Sequence, residues 1–111
     1  MAYVTGTEYG ETLSGTHYDD VIIANGGNDT IISSNGLDYI DGGAGHDTVD
    51  YSSYRGALSI TLTGSNVSRV IGNGIRSDWL VNIENITGGS GDDYFVGDAA
   101  NNTFRGNGGH D

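Results

Sequence analysis

From Gly6 onward an apolar side chain returns every nine residues. Written in nines, the chain reads GTEYGETLS, GTHYDDVII, ANGGNDTII, SSNGLDYID and GGAGHDTVD, reaching Asp50 without a slip in register. The eighth position of these units holds Leu13, Ile22, Ile31, Ile40 and Val49, with Thr, Val, Ile, Tyr and Asp on either side. No helix has that period, whereas a strand of about three residues with one side chain turned inward satisfies it in every unit. The first four positions are rich in Gly, Asn and Ser, which accept the left-handed backbone conformations of tight turns. Each nonamer is therefore predicted to be one turn and one short strand, and a stack of them buries what no single unit can.

The pattern breaks over residues 51–78. Two stretches there, 58–63 and 67–71, alternate apolar with polar residues, which predicts a hairpin or two longer strands turning at Gly64 and Ser65. The nine-residue frame resumes, one residue out of phase, as WLVNIENIT from Trp79, then GGSGDDYFV, GDAANNTFR and an incomplete GNGGHD, with Ile86, Phe95 and Phe104 in the eighth position. The organisation expected is a first repeat block (1–50), a β insertion (51–78) and a truncated second block (79–111) within one domain, as a 111-residue length favours.

Composition changes the picture, because 35% hydrophobic residues, 20 Gly and a net charge of −11 would describe a disordered chain if burial were the only source of stability. Something else has to hold the repeats together. With no Cys, disulfides and thiolate sites are excluded, which leaves oxygen ligands and a hard cation. Fifteen acidic against four basic residues also exclude nucleic acid and acidic membrane surfaces as partners. The first sixteen residues lack the basic and apolar regions of a secretory signal, and no apolar run is long enough for a membrane-spanning helix.

The sixth position names the ligands: Glu11, Asp20, Asp29, Asp38, Asp47, Glu84, Asp93, Asn102 and Asp111. If two units close one coil, units two apart share a side and their carboxylates form a ladder with rungs about 4.8 Å apart. At an effective dielectric of ~20, two such charges repel by roughly 3 kcal/mol, so the metal-free ladder opposes folding. Ca²⁺ takes six to eight oxygens, combining carboxylates with backbone carbonyls, and reverses that sign; Mg²⁺ insists on octahedral geometry and retains its waters.

Units such as GGAGHDTVD, GGSGDDYFV and ANGGNDTII resemble the RTX nonapeptide, GGxGxDxUx with U a large apolar residue, over about two thirds of the chain. The resemblance implies an all-β fold, a right-handed parallel β-roll or β-helix-like solenoid, that folds on binding several Ca²⁺ ions. It also implies a secreted, extracellular bacterial protein exported by type I secretion, of which this chain is a part. Carried over by position, the family's ligation pairs Asp20 with Asp38, with carbonyls of Thr16, Tyr18, Ser33 and Asn35. It pairs Asp29 with Asp47, with carbonyls of Asn25, Gly27, Gly42 and Ala44, which is the better-matching site. In the second block it pairs Asp93 with Asp111, with carbonyls of Gly89, Gly91, Gly106 and Gly108. Tyr9 and Tyr18 stand where the family has Gly, which predicts distorted amino-terminal turns, and Glu11 and Asn102 predict weak or empty sites. If the insertion loops out and the unit from Trp79 stacks directly on Asp50, Asp47 faces Asp93 and Asp38 faces Glu84.

The insertion holds Tyr51, Tyr54, Arg55, Arg69 and Arg76. The favoured reading makes it an edge extension covering the core; the competing one is a face that contacts polysaccharide or a cell surface. His17, His46 and His110 sit in turns and are read as solvated. A ladder of equivalent carboxylates does not create the unequal environments that acid/base catalysis needs, so an enzyme is not expected. Three roles stay open: a passive folding and export module, an adhesin or carbohydrate-binding segment, and the accessory tail of a secreted enzyme.

Overall fold

The computed structural model describes residues 3–16, 19–32, 38–52, 58–62, 68–72, 78–97 and 102–106. These form strands β1 (Tyr3–Thr5), β2 (Thr12–Ser14), β3 (Val21–Ile23), β4 (Thr30–Ile32), β5 (Tyr39–Asp41) and β6 (Thr48–Asp50). They continue as β7 (Leu58–Thr61), β8 (Ser68–Gly72), β9 (Trp79–Val81), β10 (Asn85–Thr87), β11 (Tyr94–Val96) and β12 (Thr103–Arg105). Among the described residues there is no helix, and hence none long and apolar enough to cross a membrane.

Short strands form where β-branched and aromatic residues surround the eighth position, and their central side chain is the one that turns inward. Ile22, Ile31, Ile40, Val49, Leu80 and Ile86 are at most 1% exposed. Successive strands of the repeat blocks alternate between two sheets, so each pairs in parallel with the strand 18 residues on: Tyr3 with Val21, Thr12 with Thr30, Val21 with Tyr39, Thr30 with Thr48, Asn85 with Thr103. Two nonamers therefore make one coil. The inward residues of both sheets meet in a single apolar cluster, where each fully buried Ile, Leu or Val contributes about 1.5–3 kcal/mol. Phe95 and Phe104, with ring centroids 5.3 Å apart, pack against the end of that cluster.

The insertion does not loop out. Strands β7 and β8 form an antiparallel hairpin, Leu58 opposite Gly72 and Ile60 opposite Val70. The hairpin joins the first sheet, whose order is β1-β3-β5-β9-β8-β7-β11, while the second sheet runs β12-β10-β6-β4-β2. Seven strands thus face five. Leu58, Ile60, Leu62 and Val70 enter the core alongside the repeat residues, which explains why the hairpin is held in the sheet: a looped-out hairpin would leave them in water. The turn expected at Gly64 and Ser65 lies outside the described residues.

A second correction concerns 79–87, read above as one unit. It contains two strands, β9 and β10, joined by residues 82–84. Leu80 pairs with Ile40 and so occupies an eighth position; the next unit, 82–87, has only six residues. Asn82 adopts φ +55°, which lets the chain reverse within this shortened turn.

Candidate metal centre

The turns stack because the strands do, and this aligns the sixth-position side chains in the interior. Asp20, Asp29, Asp38, Asp47 and Asp93 are all buried. A buried carboxylate is costly unless hydrogen bonds or a counter-charge compensate it. Part of the compensation comes from the backbone one coil earlier. The Glu11 N–H donates to Asp29 Oδ1, Asp20 N–H to Asp38 Oδ1 and Asp29 N–H to Asp47 Oδ1, each at 2.9 Å. Within a turn, the second-position N–H also donates: Thr7 to Glu11 and Thr16 to Asp20, both at 2.6 Å. The Thr16 hydroxyl donates to Asp20 Oδ1 at 2.8 Å.

Turn geometry explains the glycines. Asn25 and Gly27 in one turn, and Gly43 and Gly45 in the next, have φ of 67°, 82°, 74° and 96°, placing the second and fourth positions in the left-handed region. At Gly42 a Cβ would lie 2.5 Å from the Asn82 carbonyl oxygen and 2.7 Å from Asp47 Oδ2, so this turn has no room for a side chain there. Tyr9 does not share the left-handed conformation of Gly27, for among the described residues only Asn25 and Asn82 are non-glycine with positive φ. The turn 6–11 therefore departs from the pattern of 24–29, as its bulky fourth residue predicts.

What remains after these hydrogen bonds is a set of oxygens that fits a hard cation. Among the described residues, Asp29 Oδ2 and Asp47 Oδ2 are buried and find no hydrogen-bond partner. Burial pushes the Asp47 carboxyl from 3.8 up to about 7; the N–H it accepts from Asp29 lowers it, and the carboxylates of Glu84 and Asp29 raise it further. Two stacked carboxylates, each with an open buried oxygen, suit a hard cation. Among the described residues no three Asp, Glu or His side chains converge on one point. The other oxygens of a six- to eight-coordinate ion would thus be backbone carbonyls or water.

Of the ligands expected from the sequence, Thr16, Asp20, Asn25, Gly27, Asp29, Asp38, Gly42, Ala44, Asp47, Gly89, Gly91, Asp93 and Gly106 are described, whereas Tyr18, Ser33, Asn35, Gly108 and Asp111 lie outside the described residues. Asp20 stands beside Asp38, and Asp29 beside Asp47. Beyond the first block the neighbours differ from expectation. The Asp47 N–H donates to Glu84 Oε1 at 2.8 Å, and the Asp38 N–H to Asp78 Oδ1 at 2.9 Å. Asp93 Oδ1 instead accepts the Leu58 N–H at 3.1 Å, because the hairpin separates β11 from β9. Asp47 therefore does not face Asp93, nor Asp38 face Glu84. Asp78 was not among the expected sixth-position residues. Its signal was present, since Asp78-Trp79-Leu80-Val81 has the same Asp-x-apolar-x form as Asp20-Val21-Ile22-Ile23.

Residues 5–38, 23–53 and 82–111 match the family described as the RTX calcium-binding nonapeptide repeat (4 copies). None of the curated proteins compared matches the chain. With well over half of its length matched, and with buried oxygen ligands stacked as the repeat places them, the chain belongs to the RTX calcium-binding nonapeptide repeat family, whose repeats bind Ca²⁺ at several sites.

Proposed function

We propose that this chain is a folding module whose ordered state is completed by Ca²⁺, serving the secretion, folding and stability of an extracellular protein rather than catalysing a reaction. The observation that carries the reading is the pair of open, buried oxygens on Asp29 and Asp47. The ion between them would draw further oxygens from Asn25, Gly27, Gly42 and Ala44; Asp20 with Asp38, and Asp93 with Asp111, would hold others. Low cellular Ca²⁺ leaves the ladder repulsive and the chain loose for export, and extracellular Ca²⁺ closes it. Extracellular modules bind Ca²⁺ at about 10⁻⁴–10⁻³ M, and an ion at 100 times its Kd adds about 2.7 kcal/mol. Two or three ions thus rival the whole stability of a small domain. Far-UV circular dichroism of the chelator-treated chain during Ca²⁺ titration tests this, with Mg²⁺ as control. A coil-to-β transition specific for Ca²⁺ is expected; an unchanged spectrum would refute ion-driven folding.

A second reading, attachment to polysaccharide, draws on the outer face of the hairpin region. Ile71, Trp79 and Tyr94 are exposed there on β8, β9 and β11, with the Arg69 guanidinium 6.0 Å from the Trp79 ring centroid. Exposed rings flanked by a cation offer stacking and hydrogen bonding to sugar rings. Tyr54, the other aromatic considered for this role, lies outside the described residues. Trp79→Ala should abolish retention in polysaccharide affinity electrophoresis; equal retention of the variant removes this reading.

A further inference from the structure

Asp78 is built into the ladder differently from Asp29 and Asp47. Its Oδ1 accepts the Asp38 N–H at 2.9 Å, as a sixth-position carboxylate should. Its Oδ2, the atom left open in Asp29 and Asp47, accepts the Tyr51 hydroxyl at 2.8 Å. Tyr51 is the first residue of the insertion, has no exposed surface and belongs to the apolar cluster. Its own N–H donates to the Thr87 carbonyl at 2.7 Å, tying it to the end of β10. The ring is therefore fixed from the backbone, and its hydroxyl reaches across the core to the opposite sheet's carboxylate.

The other side of the stack changes at the same junction. There the six-residue turn 42–47 is followed by the three-residue turn 82–84. That turn keeps a sixth-position carboxylate, Glu84, which accepts the Asp47 N–H, but it has lost three of the residues that precede it in a full unit. Both sides of the stack thus depart from the nonapeptide pattern where the hairpin enters.

We propose that Tyr51 takes the place of a calcium ion at the Asp38–Asp78 rung, so that the metal ladder of the first block ends there and the junction with the hairpin closes without metal. The inference rests on the reading of the ladder as a set of Ca²⁺ sites. A phenol O–H donating to a carboxylate makes a charge-assisted hydrogen bond, among the stronger kinds available to a neutral donor. An ion at this rung would have to displace that hydroxyl from a packed interior, which close-packed cores resist.

The test counts ions bound per chain by native mass spectrometry at saturating Ca²⁺, for the wild type, Asp78→Asn and Asp29→Asn. Asp29→Asn should lose at least one ion, and Asp78→Asn should bind as many as the wild type. A deficit of one ion in Asp78→Asn overturns the proposal while leaving the ladder intact. A wild type that binds no Ca²⁺ overturns the ladder and the proposal together. A second measurement needs no folded Asp78 variant. In proton NMR of the folded, Ca²⁺-saturated wild type, a slowly exchanging Tyr51 hydroxyl resonance should be present, assigned by its absence in Tyr51→Phe. A Ca²⁺-saturated wild-type spectrum without it would show that an ion has taken the carboxylate.

Discussion

Lowering the pH from 8 to 5 should stabilise the metal-free fold and destabilise the Ca²⁺-loaded fold, and Asp47 should account for most of the contrast. Its carboxyl is raised from 3.8 to about 7 in the folded, metal-free chain, chiefly by burial. For an acid shifted upward, the linked stability is fully present below the unfolded value and is lost as pH rises through the folded one. Between pH 8 and pH 5 the folded chain takes up a proton on Asp47 that the unfolded chain does not, a gain on the order of 2 kcal/mol by linkage. With Ca²⁺ present the sign reverses, since ligation requires the carboxylate and protons compete with the ion. Asp47→Asn keeps an acceptor for the Asp29 N–H but removes the charge, so it should flatten the metal-free slope and weaken the loaded state. Urea unfolding followed by circular dichroism and Trp79 fluorescence measures both slopes, with sucrose added to bring the metal-free transition into range. Slopes of the same sign with and without Ca²⁺, or a metal-free slope unchanged in Asp47→Asn, would show that Asp47 does not couple protons and Ca²⁺ to folding.

Further tests address the turn and the hairpin. Gly42→Ala places a methyl 2.5 Å from the Asn82 carbonyl oxygen and 2.7 Å from Asp47 Oδ2, and should cost about 1–3 kcal/mol in urea unfolding of the Ca²⁺-loaded chain; a cost near zero would mean that the stacked turns give way easily. Ile60→Ala in the hairpin should cost about 2–5 kcal/mol, the same range as Ile31→Ala in the repeats, because both side chains are fully buried in one cluster. A change below about 0.5 kcal/mol, typical of surface positions, would return the insertion to the outside of the fold.

The repeats were legible because the units set one recurring local problem: a tight turn rich in small and polar residues, an inward apolar residue such as Ile31, and a carboxylate such as Asp29. The two-unit coil entered as a premise, and the pairing of Asp20 with Asp38 and Asp29 with Asp47 came from the resemblance to the RTX nonapeptide; the hydrogen bonds place both pairs side by side. The hairpin was legible as alternation over 58–63 and 67–71, but not its partners. Alternation specifies which side chains are buried, whereas insertion between β9 and β11 depends on contacts distant in sequence. Asp78 was hidden for a similar reason. Trp79-Leu80-Val81 and Asn85-Ile86-Thr87 are two strands six residues apart, and a nine-residue frame laid across them assigns the first strand to a turn. Hydrogen bonding of Asp78 to Asp38 and Tyr51 reveals the unit that the frame missed.

Small-angle X-ray scattering of the chain shows whether Ca²⁺ binding and folding are one equilibrium. The folded chain has a Cα radius of gyration of 12.5 Å, whereas an unfolded chain of 111 residues is expected near 34 Å. At neutral pH in chelator the radius should lie far above the folded value, and Ca²⁺ at about 10 mM, above the usual affinity range of extracellular sites, should collapse it to near 13 Å while equal Mg²⁺ does not. A chain already compact in chelator and unmoved by Ca²⁺ would contradict the coupling of metal to fold.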